Sequence, residues 1–69
     1  MPLAEITLIE GRSPEQKKAL FREVTEAIVR AVGAPPDTVR IVIREVPAEH
    51  WAIAGISYAE RQAKKPGGS

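Results

Sequence analysis

Few residues in this 69-residue chain could move a proton or hold charge at a reaction centre. It contains no cysteine and one histidine, His50, so neither thiolate chemistry nor an imidazole cluster is available. No nucleophile motif surrounds Ser13, Ser57 or Ser69, and Gly67-Gly68 has no phosphate-loop context. No carboxylate pair for glycosidase-type work stands out among the nine acidic residues. What is unusual is Pro2, directly after Met1. Removal of Met1, which a proline at position 2 permits, would expose a secondary amine rigidly joined to the chain that follows. An ordinary α-amino group has a pKa of about 8, and a prolyl amine in water runs somewhat higher. A desolvated pocket near arginines disfavours the protonated form and brings the amine toward neutrality, where a general base is poised. The other reading is that proline stands at position 2 by chance, at its average usage of about 5%.

Two arginines are candidates for binding anions. Arg12 stands at a corner after Gly11, and Arg40 interrupts an aliphatic run. Their planar forks suit carboxylates; equally, each could face solvent, with Arg44 as a surface companion of Arg40. Trp51, the only tryptophan, is either an interface anchor or an apolar wall that dries a pocket. His50 beside it reads as a surface or interface residue, and Tyr58 has no assignable role.

The elements that would position these groups follow from periodicity. Leu3 to Ile9 reads as a strand, with Ala4, Ile6 and Leu8 forming an apolar face. Glu10-Gly11-Arg12 is a loop. Ser13 is a suitable N-cap, Pro14 suits the first helical position and Gln16 completes a capping box. Leu20, Val24, Ala27, Ile28 and Ala31 then recur as one helical stripe, with Lys17, Arg22, Glu26 and Arg30 largely off it. Gly33 stops the helix and Pro35-Pro36 prevents its resumption. Val39 to Val46 is a second strand, β-branched at Val39, Ile41 and Ile43. Strand, crossover helix and strand predict a right-handed βαβ unit with parallel strands, a short α/β (α+β) fold. After Pro47, Trp51, Ile53 and Ile56 around Ala54-Gly55 suggest a short hairpin or irregular arm. Residues 1–62 form a single domain on this reading, and 63–69, basic and rich in Gly and Pro, a flexible tail.

Size and composition limit the possibilities further. A net charge of +1, with 43% hydrophobic and 28% charged residues, points away from electrostatic nucleic-acid or membrane-surface binding. No apolar run approaches the ~20 residues of a membrane span and no signal-peptide pattern is visible, so a soluble cytoplasmic protein is expected. Two strands and one helix do not close a core, and apolar residues lie on both strand faces: Ile41 and Ile43 on one, Val42 on the other. A two-stranded sheet is not independently stable, and a chain this small without disulfide or metal needs self-association.

The combination of these residues resembles a known family. Pro2-Leu3-Ala4-Glu5-Ile6, Leu8-Ile9-Glu10-Gly11-Arg12-Ser13 and Glu15-Gln16-Lys17 resemble the start of the 4-oxalocrotonate tautomerase (2-hydroxymuconate tautomerase) family. The similarity continues through Arg22-Glu23-Val24, Ala34-Pro35 and Val39-Arg40 to Glu45 and His50-Trp51, covering roughly residues 2 to 62 without an evident gap. It implies a cofactor-independent isomerase acting on a small dienol dicarboxylate in aromatic catabolism. It also implies a homohexamer built as a trimer of dimers, each dimer with a four-stranded sheet. Pro2 would be the general base moving a proton between the 2-hydroxyl oxygen and C5. Arg12 would bind the distant carboxylate. Arg40, from another subunit, would engage the C1 carboxylate and 2-oxygen, and the Ile9 N–H would stabilise developing charge. Trp51 stands where the family commonly has Phe, which bears on pocket size.

Two other readings compete with it. trans-3-Chloroacrylic acid dehalogenase also begins with Pro, but needs an additional arginine and a water-activating glutamate, where this chain has Ile9 and Ile53. A non-catalytic oligomeric module binding acidic partners through arginines sits poorly with the near-neutral charge. The tautomerase reading requires a free Pro2 amine, so intact mass should show loss of Met1; fully active protein that retains Met1 would refute Pro2 as base.

Overall fold

A computed structural model of the chain describes residues 1–64. Strand β1, Leu3–Ile9, is followed by helix α1, Pro14–Val32, a 3-10 turn at Pro36–Thr38, and strand β2, Arg40–Val46. β1 and β2 pair in parallel, Leu3 opposite Arg40 through Ile9 opposite Val46, which is the βαβ unit expected. β2 begins at Arg40, one residue later than expected, because the 3-10 turn still binds the Val39 N–H to the Pro36 carbonyl at 3.2 Å.

Local chemistry explains the boundaries of α1. The Ser13 hydroxyl accepts from the Gln16 N–H at 3.1 Å, while the Gln16 side chain accepts from the Ser13 N–H at 2.8 Å. Two helix-start donors are thereby satisfied. At the far end Gly33 adopts φ 73°, ψ 18°, the left-handed conformation that glycine takes without penalty. Its N–H donates to the Val29 carbonyl at 3.0 Å.

The helix covers one face of the sheet. Ala4, Ile6, Leu8, Ile41 and Ile43 are half-buried on that face, and Leu20, Val24 and Ile28 are half-buried on the helix. Ala27 and Ala31 are exposed, which corrects the expected stripe. The larger side chains choose the contact, and Lys17 fixes the helix's rotation by an ion pair to Glu45 at 3.0 Å. Such a pair contributes on the order of 0.2–1 kcal/mol. The opposite face carries Leu3, 58% exposed, and Val42, 41% exposed, with Glu5 and Arg44 bridged across the strands at 3.2 Å.

After β2 come a 3-10 turn, Ala48–His50, a hairpin of β3, Ala52–Ile53, with β4, Ile56–Ser57, and helix α2, Tyr58–Lys64. Of the two expected alternatives, a short hairpin or an irregular arm, the hairpin is the one formed. Its two central residues both have positive φ, 54° at Ala54 and 82° at Gly55, the pattern of a tight two-residue hairpin turn. Helix α2 was not expected. The Ser57 hydroxyl accepts from the Glu60 N–H at 3.2 Å at its start. The helix passes the expected domain end at residue 62 and takes in the first two residues of the segment read as a tail; 65–69 lie outside the described residues.

Among the described residues no side chain is buried. The radius of gyration is 15.6 Å, against about 11 Å for a compact domain of this length. Half-burial on one face and bare aliphatics on the other leave the burial needed for stability to contacts beyond one chain. Sedimentation at micromolar concentration should therefore show an oligomer. Val42→Asp, which sets a second carboxylate opposite Glu5 on the open face, should dissociate and unfold it; a folded monomer of the parent chain would contradict the argument.

Candidate active site

The strand ladder decides where the candidate groups sit. The Arg40 N–H donates to the Pro2 carbonyl at 2.9 Å, and the Glu10 N–H donates to the Val46 carbonyl at 2.9 Å. Even-numbered residues of β1 therefore turn their backbone groups toward β2. Ile9, between two such residues, turns its N–H and C=O to the open edge of β1. Arg12 confirms that direction: its Nη1 donates to the Ile9 carbonyl at 3.3 Å. An exposed guanidinium and a backbone N–H thus share the C-terminal end of that edge, an arrangement suited to a carboxylate or a developing oxyanion.

Pro2 and Arg40 occupy the other end. Pro2 is half-buried and tied to Arg40 through the backbone, while Met1 is 86% exposed beyond it. The alternation of side chains puts the Pro2 ring on the helix side, with Ala4, and Arg40 on the open face, with Leu3 and Val42. The Arg40 guanidinium is held by the turn before it, Nη1 donating to the Asp37 carbonyl at 2.7 Å. That turn is closed by Thr38, whose N–H and hydroxyl both donate to the Pro35 carbonyl, at 3.0 and 2.7 Å.

Leu3 to Ile9 is six residue steps, ~20 Å of strand. One chain therefore brings Pro2 to Arg40 and Ile9 to Arg12 but separates the two pairs by more than a small dicarboxylate spans. Trp51 is half-buried and follows β2 beyond the end where Val46 pairs with Ile9. Its carbonyl accepts from the Tyr58 N–H at 2.5 Å, which joins it to α2. His50 is exposed in the preceding turn, and Ile53 is exposed on β3. A shallow groove on α1, lined by Phe21, Arg22, Thr25 and Pro36, contains none of the sequence-predicted site residues. Among the described residues no group of three or more His, Asp or Glu side chains is placed to hold a metal ion.

Sequence reasoning missed the support of Arg40. Thr38 and Asp37 follow two prolines, a composition that signals a turn, but nothing in it reveals that the turn's carbonyl meets a guanidinium. The Lys17–Glu45 pair was equally illegible, since 28 residues separate its members.

Comparison with known proteins identifies the family. The family model described as tautomerase enzyme matches residues 2–61. The 2-hydroxymuconate tautomerase of Comamonas testosteroni is 57% identical over 60 residues, covering 87% of this chain and 95% of that protein. A 4-oxalocrotonate tautomerase isozyme of Methylibium petroleiphilum superposes with a TM-score of 0.90 at 44% identity, covering 93% of this chain and 100% of that one. A heterohexamer 4-oxalocrotonate tautomerase from Chloroflexus aurantiacus gives 0.85 at 48% identity, covering 87% and 97%. A match across nearly all the described residues, at identities near one half and with the same βαβ fold, leads to one conclusion: the chain belongs to the tautomerase enzyme family and is a 4-oxalocrotonate tautomerase-like isomerase.

Proposed function

We propose that this chain ketonises 2-hydroxymuconate-like dienol dicarboxylates without a cofactor, with Pro2 as general base after loss of Met1. The observation that carries the reading is the 57% identity to a 2-hydroxymuconate tautomerase over 95% of that protein, on a chain that has Pro2, Arg12 and Arg40. The Pro2 amine takes the proton from the 2-hydroxyl oxygen. The O–H electron pair becomes the C2 carbonyl, the conjugated double bonds shift, and C5 receives the proton from the prolinium. No electrons are gained or lost overall, and the amine is regenerated.

Charge placement supports these roles. Negative charge spreads along the dienolate, so cations at both ends stabilise it more than they stabilise the substrate. Arg12, with the Ile9 N–H beside it, binds the distant carboxylate and draws electron density toward it. Arg40, from another subunit, engages the C1 carboxylate and the 2-oxygen, and Trp51 walls the pocket. The ~20 Å between the two ends of β1 supports a site shared between copies, as does the absence of buried side chains among the described residues. We accordingly propose a cytoplasmic homohexamer, a trimer of dimers; one structural relative is itself a heterohexamer.

The test is ultraviolet-monitored ketonisation of 2-hydroxymuconate. Pro2→Ala should lower turnover by about 10²–10⁴-fold, the usual contribution of a positioned base, with far-ultraviolet dichroism unchanged. Arg40→Ala should lower kcat, and Arg12→Ala should also raise KM, each by roughly tenfold to a hundredfold, the worth of a lost charged hydrogen bond. trans-3-Chloroacrylate should be dehalogenated only in traces, because Ile53 cannot activate water. Comparable rates on the two substrates, or unchanged kinetics in both arginine variants, would overturn the assignment.

A further inference from the structure

We infer that Thr38 is a positioning residue for Arg40, acting through the 3-10 turn and the Asp37 carbonyl. The inference rests on the role proposed for Arg40.

An arginine that meets charge growing in a transition state is effective only if its guanidinium is already in place. Arg40 is exposed at the first position of β2, where a long side chain has many rotamers to lose. One fixed contact restricts it: Nη1 donates to the Asp37 carbonyl at 2.7 Å. That carbonyl is no better placed than its turn, and the turn is short. It is held by Pro35 and Pro36, whose rings fix φ, and by bonds closing on two carbonyls. Val39 N–H donates to the Pro36 carbonyl at 3.2 Å. Thr38 donates twice to the Pro35 carbonyl, from its N–H at 3.0 Å and from its hydroxyl at 2.7 Å. The hydroxyl bond is the shorter of the two and the only side-chain bond closing the turn among the described residues.

The start of β2 has its own anchor, the Arg40 N–H donating to the Pro2 carbonyl at 2.9 Å, so what the turn adds is the placement of the guanidinium through the Asp37 carbonyl. Thr38 itself touches no reacting atom. Its effect is on where Arg40 stands when charge develops, which affects turnover more than substrate binding.

The experiment compares Thr38→Val, which keeps the β-branched shape and removes the hydroxyl, with Thr38→Ser, which keeps the donor. Each is made in the full chain and in an Arg40→Ala background, and kcat and KM are measured on 2-hydroxymuconate. Thr38→Val should lower kcat about threefold to tenfold, the worth of one neutral hydrogen bond, with KM within about twofold of the parent. Thr38→Ser should restore kcat to within about twofold of the parent, on the same scale. In the Arg40→Ala background Thr38→Val should cost nothing further, because the group it positions is gone.

Parental kcat in Thr38→Val overturns the inference, as does the same loss of kcat with and without Arg40. Thr38→Ala is the second variant should Thr38→Val not assemble. If both fail to fold while Thr38→Ser folds, the hydroxyl serves the fold alone and the inference falls. The two levels of failure are distinct. A slow Arg40→Ala with a parental Thr38→Val removes only the role of Thr38, whereas an unchanged Arg40→Ala removes the role proposed for Arg40 and this inference with it.

Discussion

The parallel pairing of Leu3–Ile9 with Arg40–Val46 is the interaction on which the rest of this chain depends, because its register places groups at both ends of the sheet at once. Seven residues on each strand bond without a bulge, so Pro2 meets Arg40 at one end and Ile9 meets Val46 at the other. Parallel strands cannot be joined by a tight turn; the chain must travel back the full length of the sheet. Nineteen residues of α1 do this, and their caps set where the return begins and ends. A slip of one residue in the β2 register would turn each of its side chains to the other face.

The same pairing leaves the fold incomplete. One helix covers one face of two strands, and the other face shows Leu3 and Val42 to solvent. No side chain among the described residues reaches full burial, so hydrophobic stabilisation inside one chain stays well short of the ~1.5–3 kcal/mol that each fully buried aliphatic or aromatic side chain supplies. What makes the single chain weak also separates Arg12 from Pro2. A strand long enough to carry the sheet puts Pro2, the proposed base, and the Arg12 corner, the proposed carboxylate site, at opposite ends. A chain that needs copies of itself to bury its faces can use those copies to bring the ends of different strands together. On the proposed reading, assembly and site construction have one cause.

Much of the proposed site is legible in the sequence, for reasons that differ by residue. Pro2 is conspicuous by covalent chemistry, since a secondary amine exists only at a chain start. Arg12 and Arg40 stand out only through the family resemblance, because an exposed arginine beside a loop has many ordinary explanations. The hairpin at Ala54-Gly55 follows from turn chemistry, but α2 does not. Its only strong local signal is Ser57 capping Glu60, too brief to separate a helix from an irregular arm. The inner stripe of α1 was read partly wrong, with Ala27 and Ala31 exposed. Periodicity marks a broad arc, and the largest side chains and the Lys17–Glu45 pair choose the line of contact within it.

Local features are legible in the chain alone: strand alternation, the Ser13–Gln16 box, the Gly33 stop, the chemical nature of Pro2. Each depends on residues within about four positions, where spacing and side-chain type suffice. The tertiary structure alone decided what depends on distant partners. It set the register that binds Arg40 to Pro2, the edge to which Ile9 turns its N–H, and the carbonyl of Asp37 that holds the Arg40 guanidinium. Hydrogen bonds across a sheet and inside a closed turn are matters of direction as well as spacing, and direction exists only once the backbone has folded.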